Sequence, residues 1–226
     1  MRIVIIGGPA SGKSTLTDKL VALDGSIATF GVRRHFAHLV ESETDLGRRV
    51  RPWVERGAWI PDELVVEGLA GELAARLGES FILEGMPGNA RQARLLDELL
   101  EERGLPLDAA IHVRTPAATC IDRASRRLVC LTCDGGSHQV VLTDERTCRG
   151  CGGRPTQRPS DTGPAFLERI ATHQALAADL AAHYAPDRTI EVSGELAPDE
   201  MLAQSIRELR KRADGKMPVP GGAGRS

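Results

Sequence analysis

The sequence predicts an α/β fold, a five-stranded parallel sheet flanked by helices, on three observations. Short apolar runs alternate with longer segments of helical periodicity from Arg2 to Arg127 and again from Pro164 to Arg212. The first run, Ile3-Val4-Ile5-Ile6, passes directly into Gly7-Gly8-Pro9-Ala10-Ser11-Gly12-Lys13-Ser14-Thr15, which satisfies G-x-x-x-x-G-K-[ST] in full at a strand-to-helix turn. The alternation is then broken once, between Leu128 and Arg158, by a stretch that carries four paired cysteines.

The second observation fixes the chemistry. Glycines let the backbone curl so that several N–H groups point inward, and the helix that follows adds partial positive charge at the same spot. Gly8, Pro9, Ala10, Ser11 and Gly12 would wrap the phosphates of a nucleoside triphosphate. Lys13 would reach the β- and γ-phosphates, and Ser14 and Thr15 offer hydroxyls for Mg²⁺, its waters or phosphate oxygens. The segment is therefore expected to bind ATP or a close relative, and the fold to be that of the P-loop NTPases.

The elements follow in order. Arg2 to Ile6 reads as the first strand and Lys13 to Leu23 as its helix, with Leu16, Leu20 and Val21 inward. Ser26 to Phe30 is a weaker strand. Residues 32–57 are helical and charged, with Arg33, Arg34, Arg48, Arg49, Arg51 and Arg56; most of these arginines read as a solvated face. Pro61 and Asp62 open a helix through Leu77 that turns Leu64, Leu69, Leu73 and Leu77 to one side. Strands at 81–85 and 109–114 alternate with helices at 89–103 and 117–127. A helix at 164–184 with Phe166, Ile170, Ala177 and Leu180 on one face leads to a strand at 189–192 and a last helix at 198–212. Ligands of such sheets bind at the carboxyl ends of the strands, where Gly8, Thr29, Glu84 and Gly85 all fall.

Composition narrows the function class. Aromatic residues make up only 3% of the 226 residues, so aliphatic side chains must fill the core. A net charge of −2 argues against a duplex-binding protein, and no apolar run approaches the ~20 residues of a membrane span. The first apolar strand meets glycines at once, unlike a secretory leader, so a cytoplasmic location with no membrane and no nucleic-acid partner is expected. The cysteines stand at 120, 130, 133, 148 and 151. Cys130-x-x-Cys133 and Cys148-x-x-Cys151 have metal-ligand spacing; a redox pair, or His138 in place of one ligand, are the alternatives. Cys120 reads as a small core residue of its helix.

Taken together, these motifs resemble the adenylate kinase family, specifically its bacterial members with a zinc-bearing lid, over 1–212. The phosphate loop is in place, although the family usually has Gly at the position of Ser14. Thr29 and Arg34 match the Thr and Arg of the family's T-G-D-x-x-R stretch, with Phe30 and Gly31 in place of its Gly and Asp. Gln92 matches the Gln that reads adenine, and Ile60 the residue whose carbonyl faces that base. The family's D-G-F-P-R is here Glu84-Gly85-Met86-Pro87-Gly88, so the Arg that clamps the acceptor phosphate is missing. Arg33, His35 and Arg91 are the neighbouring candidates to replace it. Arg123 and Arg127 match the family's D-R-x-x-x-R-R, Arg158 and Asp161 its R-x-D-D, and Arg169 its last catalytic Arg.

The resemblance implies a phosphotransferase that moves the γ-phosphoryl of ATP·Mg²⁺ to a nucleoside monophosphate, most simply AMP. Lys13, Arg123, Arg127, Arg158 and Arg169 would be catalytic; Thr29, Arg34, Ile60, Gly85 and Gln92 would bind the acceptor; Glu84 and Asp161 would orient magnesium waters. Cys130, Cys133, Cys148 and Cys151 would hold a structural Zn²⁺, whose closed thiolate shell leaves no position for catalysis. The implied organisation is a core at 1–29, 61–127 and 159–213, an acceptor flap at 30–60, a zinc lid at 128–158 and a flexible tail at 214–226, in a monomer. A kinase for another acceptor and a non-catalytic nucleotide-binding module remain as rival readings; the donor-side arginines disfavour the second.

Overall fold

The computed structural model describes residues 1–75, 80–130, 132, 140–143, 146–157, 161 and 163–215. Leu77, Cys133, His138, Arg158 and the tail from 216 onward, all named above, lie outside the described residues.

Five strands form one parallel sheet: β1 (Arg2–Ile6), β2 (Ala28–Gly31), β3 (Phe81–Glu84), β4 (Ala109–Arg114) and β7 (Thr189–Ser193), in the order β2-β3-β1-β4-β7. β1 lies in the middle, with Ile5 level with Glu84 of β3 and Ile6 level with His112 of β4. The chain crosses from one side of β1 to the other between β3 and β4. This is the switch point of an open sheet, and the crevice there opens directly over the end of β1.

The pleat divides the core in two. Val4 and Ile6 of β1 join a cluster with Phe30, Leu83, Leu96, Leu100 and Tyr184; Ile3 and Ile5 join another with Leu16, Leu20, Ile82, Ile111, Ile190 and Met201. Period-2 alternation of an all-apolar strand therefore buries both faces, as a parallel sheet covered by helices requires. Helices α1 (Lys13–Leu23) and α8 (Pro198–Gly215) cover the second face. On the first face lie α2 (Val32–Glu41), α3 (Asp45–Val54), α4 (Asp62–Ala75), α5 (Ala90–Glu102) and α7 (Gly163–Arg188). α6 (Ala117–Arg126) packs Cys120 and Ala124 against Phe166 and Ile170 of α7, so Cys120 is the buried helix residue expected.

All four phenylalanines and the one tyrosine are buried, which leaves the two tryptophans as the aromatic side chains nearer the surface. The segment at 32–57 resolves into α2 and α3, joined by a turn in which the Thr44 side chain caps α3 by accepting from Gly47 N. Strand boundaries shift slightly: β2 begins at Ala28 rather than Ser26, because Asp24 and Ser26 pair with each other in the preceding turn. Between α6 and α7 the described residues include a two-residue antiparallel pair, β5 (Leu128–Val129) with β6 (Thr156–Gln157), and an isolated bridge from Leu142 to Cys148. Among the described residues no helix is long and apolar enough to cross a membrane.

Candidate active site

The loop after β1 turns through Gly12 at φ 105°, a left-handed conformation that glycine adopts at little cost, and α1 starts at Lys13 with no side chain capping its N-terminus. Its first N–H groups are thus available to an anion, with the helix dipole behind them. Lys13 folds back over the loop and donates from Nζ to Gly8 O at 2.6 Å. Burial lowers its pKa from the ordinary 10.5 to about 8; Glu84 opposes this, while Arg127 and Arg169 add to it. Lys13 is therefore a cation that an arriving phosphate would stabilise.

The loop is tied to distant strands through its carbonyls. Ser11 O accepts from Thr115 Oγ1 at 2.8 Å and from Arg123 Nη1 at 3.3 Å, and Arg123 Nη2 donates to Gly194 O at 2.7 Å. Position 194 must be glycine, since a Cβ there would stand 2.0 Å from Thr115 Oγ1 and 2.4 Å from Ser11 O. Ser14 donates to Glu84 Oε1 at the end of β3, in a short hydrogen bond. Arg127 donates through Nε (2.7 Å) and Nη2 to Oδ2 of Asp161, whose side chain is fully buried; Asp161 Oδ1 is buried with no partner among the described residues.

A cavity of about 1060 Å³ joins these groups. Pro9 to Thr15, Glu84, Arg123, Arg127 and Arg169 line it, and so do Thr29, Arg34, Ile60, Gly85 and Gln92 from the sites assigned to the acceptor. Gly8 lies on a second cavity of about 900 Å³ behind the loop, which shares Lys13, Gly85 and His173 with the first. Every described site residue predicted from sequence thus lines one of these two cavities, except the cysteines and Asp161, which reaches the first through Arg127.

The acceptor wall contains side chains that sequence reasoning did not single out. Asp62, nearly buried, accepts from Trp59 Nε1 (3.2 Å), from Asn89 Nδ2 and from Gln92 Nε2 (2.8 Å). Gln92 Oε1 accepts from Gly88 N at 2.7 Å, so both ends of its amide are engaged inside the protein. Arg34 donates to Thr29 Oγ1 at 3.2 Å. Both tryptophans, Trp53 and Trp59, line the cavity. His173 lies 6.3 Å, ring to ring, from Trp59, and its pKa falls to about 4 through burial and then the nearby charges of Lys13 and Arg169, so it is neutral at pH 7. A strip with Gly194, Leu196, Pro198 and Met201 also lines the cavity next to Arg123. The scarcity of aromatic residues was the available signal for Trp59; nothing in the local pattern pointed to His173.

Away from the cavity, the sulfurs of Cys130, Cys148 and Cys151 lie within 4.8 Å of one another. Gly153 N donates to Cys151 Sγ at 3.4 Å, and Cys148 N to Gly153 O at 2.9 Å, which curls the second knuckle around its sulfurs. A soft donor set drawn together in this way fits a metal ion.

The adenylate kinase family model matches residues 5–189, most of the chain, from the end of β1 to the start of β7. The chain belongs to the adenylate kinase family. It is an enzyme of the nucleoside monophosphate kinase class, which uses ATP as phosphoryl donor. An adenylate kinase of Carboxydothermus hydrogenoformans is 29% identical over 216 residues, covering 93% of this chain and 100% of the relative. One of Thermodesulfovibrio yellowstonii is 30% identical over 223 residues, covering 94% and 100%, and one of Clostridium tetani 31% over 191 residues, covering 81% and 86%. The family membership agrees with the parallel sheet and the phosphate loop; at this identity it leaves the acceptor to be argued from the site.

Proposed function

We propose that this kinase transfers the γ-phosphoryl of ATP to AMP, giving two ADP. The observation that carries the reading is that one cavity joins the phosphate loop and four described cations, Lys13, Arg123, Arg127 and Arg169, to the Thr29, Gly85 and Gln92 wall. An oxygen of the acceptor phosphate attacks the γ-phosphorus as the bond to the bridging oxygen of ADP breaks. The acceptor is already an anion, so no general base is needed; alignment and charge neutralisation are the work of the site. Lys13 and the α1 N-terminus hold the donor phosphates, Arg123 fixes the loop, and Arg127, Arg158 and Arg169 offset charge on the moving group.

Ser14 and Glu84 bring hard oxygen donors to the cavity wall beside Lys13, and Asp161, bonded to Arg127, keeps one buried carboxylate oxygen without a partner among the described residues; such donors suit the waters of Mg²⁺. Bound with ATP, Mg²⁺ would supply charge neutralisation for the phosphates that Lys13 and the α1 N-terminus hold. Cys130, Cys133, Cys148 and Cys151 are assigned to a structural Zn²⁺ that orders the lid at 128–158. The flap at 30–60 closes from the other side, in a cytoplasmic monomer without membrane or nucleic-acid partners.

A second reading, the same chemistry with a different acceptor, is favoured by one observation: Gln92 spends its amide on Gly88 and Asp62 rather than presenting it to the cavity. Coupled ADP production with ATP·Mg²⁺ against AMP, CMP, UMP, GMP and their deoxy forms decides between them. AMP should turn over fastest by at least about tenfold, the discrimination expected of one or two base-reading hydrogen bonds. A faster pyrimidine or guanine nucleotide would replace AMP, and no turnover with any of them would overturn the nucleoside monophosphate reading.

A further inference from the structure

Position 88 cannot supply the cation for the acceptor's phosphate, and the structure gives the reason beyond the sequence change itself. A Cβ on Gly88 would meet Trp59 Cη2 at 2.5 Å and Cζ2 at 3.0 Å, so the indole stands where any side chain at 88 would have to start. Trp59 is anchored there by its Nε1 bond to Asp62, which Asn89 and Gln92 hold in turn. Glycine and tryptophan form a matched pair.

Besides Arg34, which the resemblance already assigns to the acceptor and which also lines the cavity, three cations lie close enough in sequence to take over. His35 is committed to Glu72, Nδ1 to Oε1 at 3.1 Å, in a largely buried pair. Arg91 is paired with Glu63 on the exposed outer side of α4 and α5. Neither is among the residues that line the cavity; Arg33, on the first turn of α2, is. The groups whose charges reach its guanidinium are Arg169, Asp161 and Arg127, the catalytic cluster itself. We propose that Arg33, which lines the cavity from the first turn of α2, takes over binding of the acceptor phosphate, with Trp59 filling the place from which a side chain at 88 would otherwise start.

The electrostatics agree. Loss of hydration lowers the pKa of Arg33 to about 10, with Arg169 pushing the same way and Asp161 opposing. Arg33 and Arg169 both line the cavity, and a phosphate bound there would be held by bidentate, charge-assisted hydrogen bonds from such guanidiniums. The inference rests on reading the cavity as a nucleoside monophosphate site.

The test is steady-state kinetics of the full chain with ATP·Mg²⁺ and AMP varied separately, for the parent, Arg33→Ala, Arg33→Lys and Arg91→Ala. Arg33→Ala should raise the acceptor KM by roughly ten- to a hundredfold, the value of one or two hydrogen bonds to a charged group, while the ATP KM stays within about twofold. Arg33→Lys keeps the charge and the helix but loses the planar fork, and should recover only part of the loss. Arg91→Ala should match the parent. An acceptor KM within about twofold of the parent in both Arg33 variants would overturn the inference, as would equal rises in both KM values. If Arg33→Ala does not fold, Arg33→Lys alone decides. A parent enzyme inactive with every nucleoside monophosphate would overturn the underlying reading, and this inference with it, before any variant is made.

Discussion

The backbone of the phosphate loop and the carboxylate at the centre of the acceptor wall are held by different kinds of contact. On the donor side, side chains reach backbone carbonyls across the sheet: Thr115 and Arg123 bond to Ser11 O, and Arg123 to Gly194 O. On the acceptor side the bonds run between side chains, with Trp59, Asn89 and Gln92 meeting on Asp62. Backbone targets persist when residues change, whereas a side-chain network can be rebuilt by exchanging its members. The phosphate loop accordingly reads cleanly from the sequence, while the acceptor wall is organised around Asp62 and a Gly88–Trp59 contact that only the fold brings together.

The largest break in that comparison should come from Lys13→Ala. Loss of a transition-state cation in a dry site costs on the order of a thousandfold in kcat or more. The fold should survive, because the native pKa of about 8 lies below the ordinary 10.5. Carrying the charge at pH 7 therefore costs stability, and that cost fades as pH rises from 8 past 10.5. In the intact enzyme, bound phosphates would raise the pKa again. Nucleotide binding should then take up protons above about pH 8 and weaken as pH rises through that window. Calorimetry in buffers of different ionisation heat measures the uptake, and its persistence in Lys13→Ala would assign it elsewhere.

Gly194→Ala comes next. The new methyl would collide with two oxygens that belong to the loop's anchor, one of them backbone. We expect a loss of about 2–3 kcal/mol in denaturant melts, typical of overpacking, together with weaker ATP binding because the loop must shift. A destabilised protein with unchanged ATP affinity would show that the Arg123 and Thr115 contacts do not shape the loop.

A smaller, local effect is expected from Cys148→Ser, or from chelation of the parent. The described lid residues bury little besides Val129, Cys130 and Cys148, so a bound metal would be the main source of order there. Zinc stoichiometry should fall from about one to near zero, with faster amide exchange confined to the lid. A lid equally protected without metal would remove zinc from its structural role.

The sheet, its parallel sense and the phosphate loop were legible because each has a local signature: apolar runs of period two, a glycine-rich turn of fixed spacing, and helical faces such as Leu69 and Leu73. Arg123, Arg127 and Arg169 were singled out through the resemblance to the family's motifs, and the fold places all three on the cavity wall. Their partners were not legible, since Ser11 and Arg123 are 112 residues apart in sequence and meet only through the fold. The charged stretch at 32–57 illustrates the limit. Arg33 and Arg49 look alike in sequence, yet Arg33 lines the cavity while Arg49 pairs with Glu67 on the surface. Helix rotation, set by which apolar residues reach the core, separates the two. Trp59 and Gly88 likewise acquire meaning only as a pair, once α4 and α5 bring them together.

That pairing makes the smallest prediction the sharpest. Gly88→Arg would place an arginine where the family's motif has one, and sequence comparison alone expects tighter acceptor binding. The structure expects otherwise, because the indole already stands 2.5 Å from the new Cβ and its release would cost the bond to Asp62. The acceptor KM should stay the same or rise by about threefold or less, under 1 kcal/mol. Stability should fall modestly as the network on Asp62 loosens. Trp59→Ala with Gly88→Arg should bind the acceptor better than Gly88→Arg alone, since the arginine then has room to extend. A tenfold drop in KM from Gly88→Arg by itself would mean that Trp59 yields readily. Gly88 would then be an ordinary loss of a contact rather than one half of a rebuilt wall.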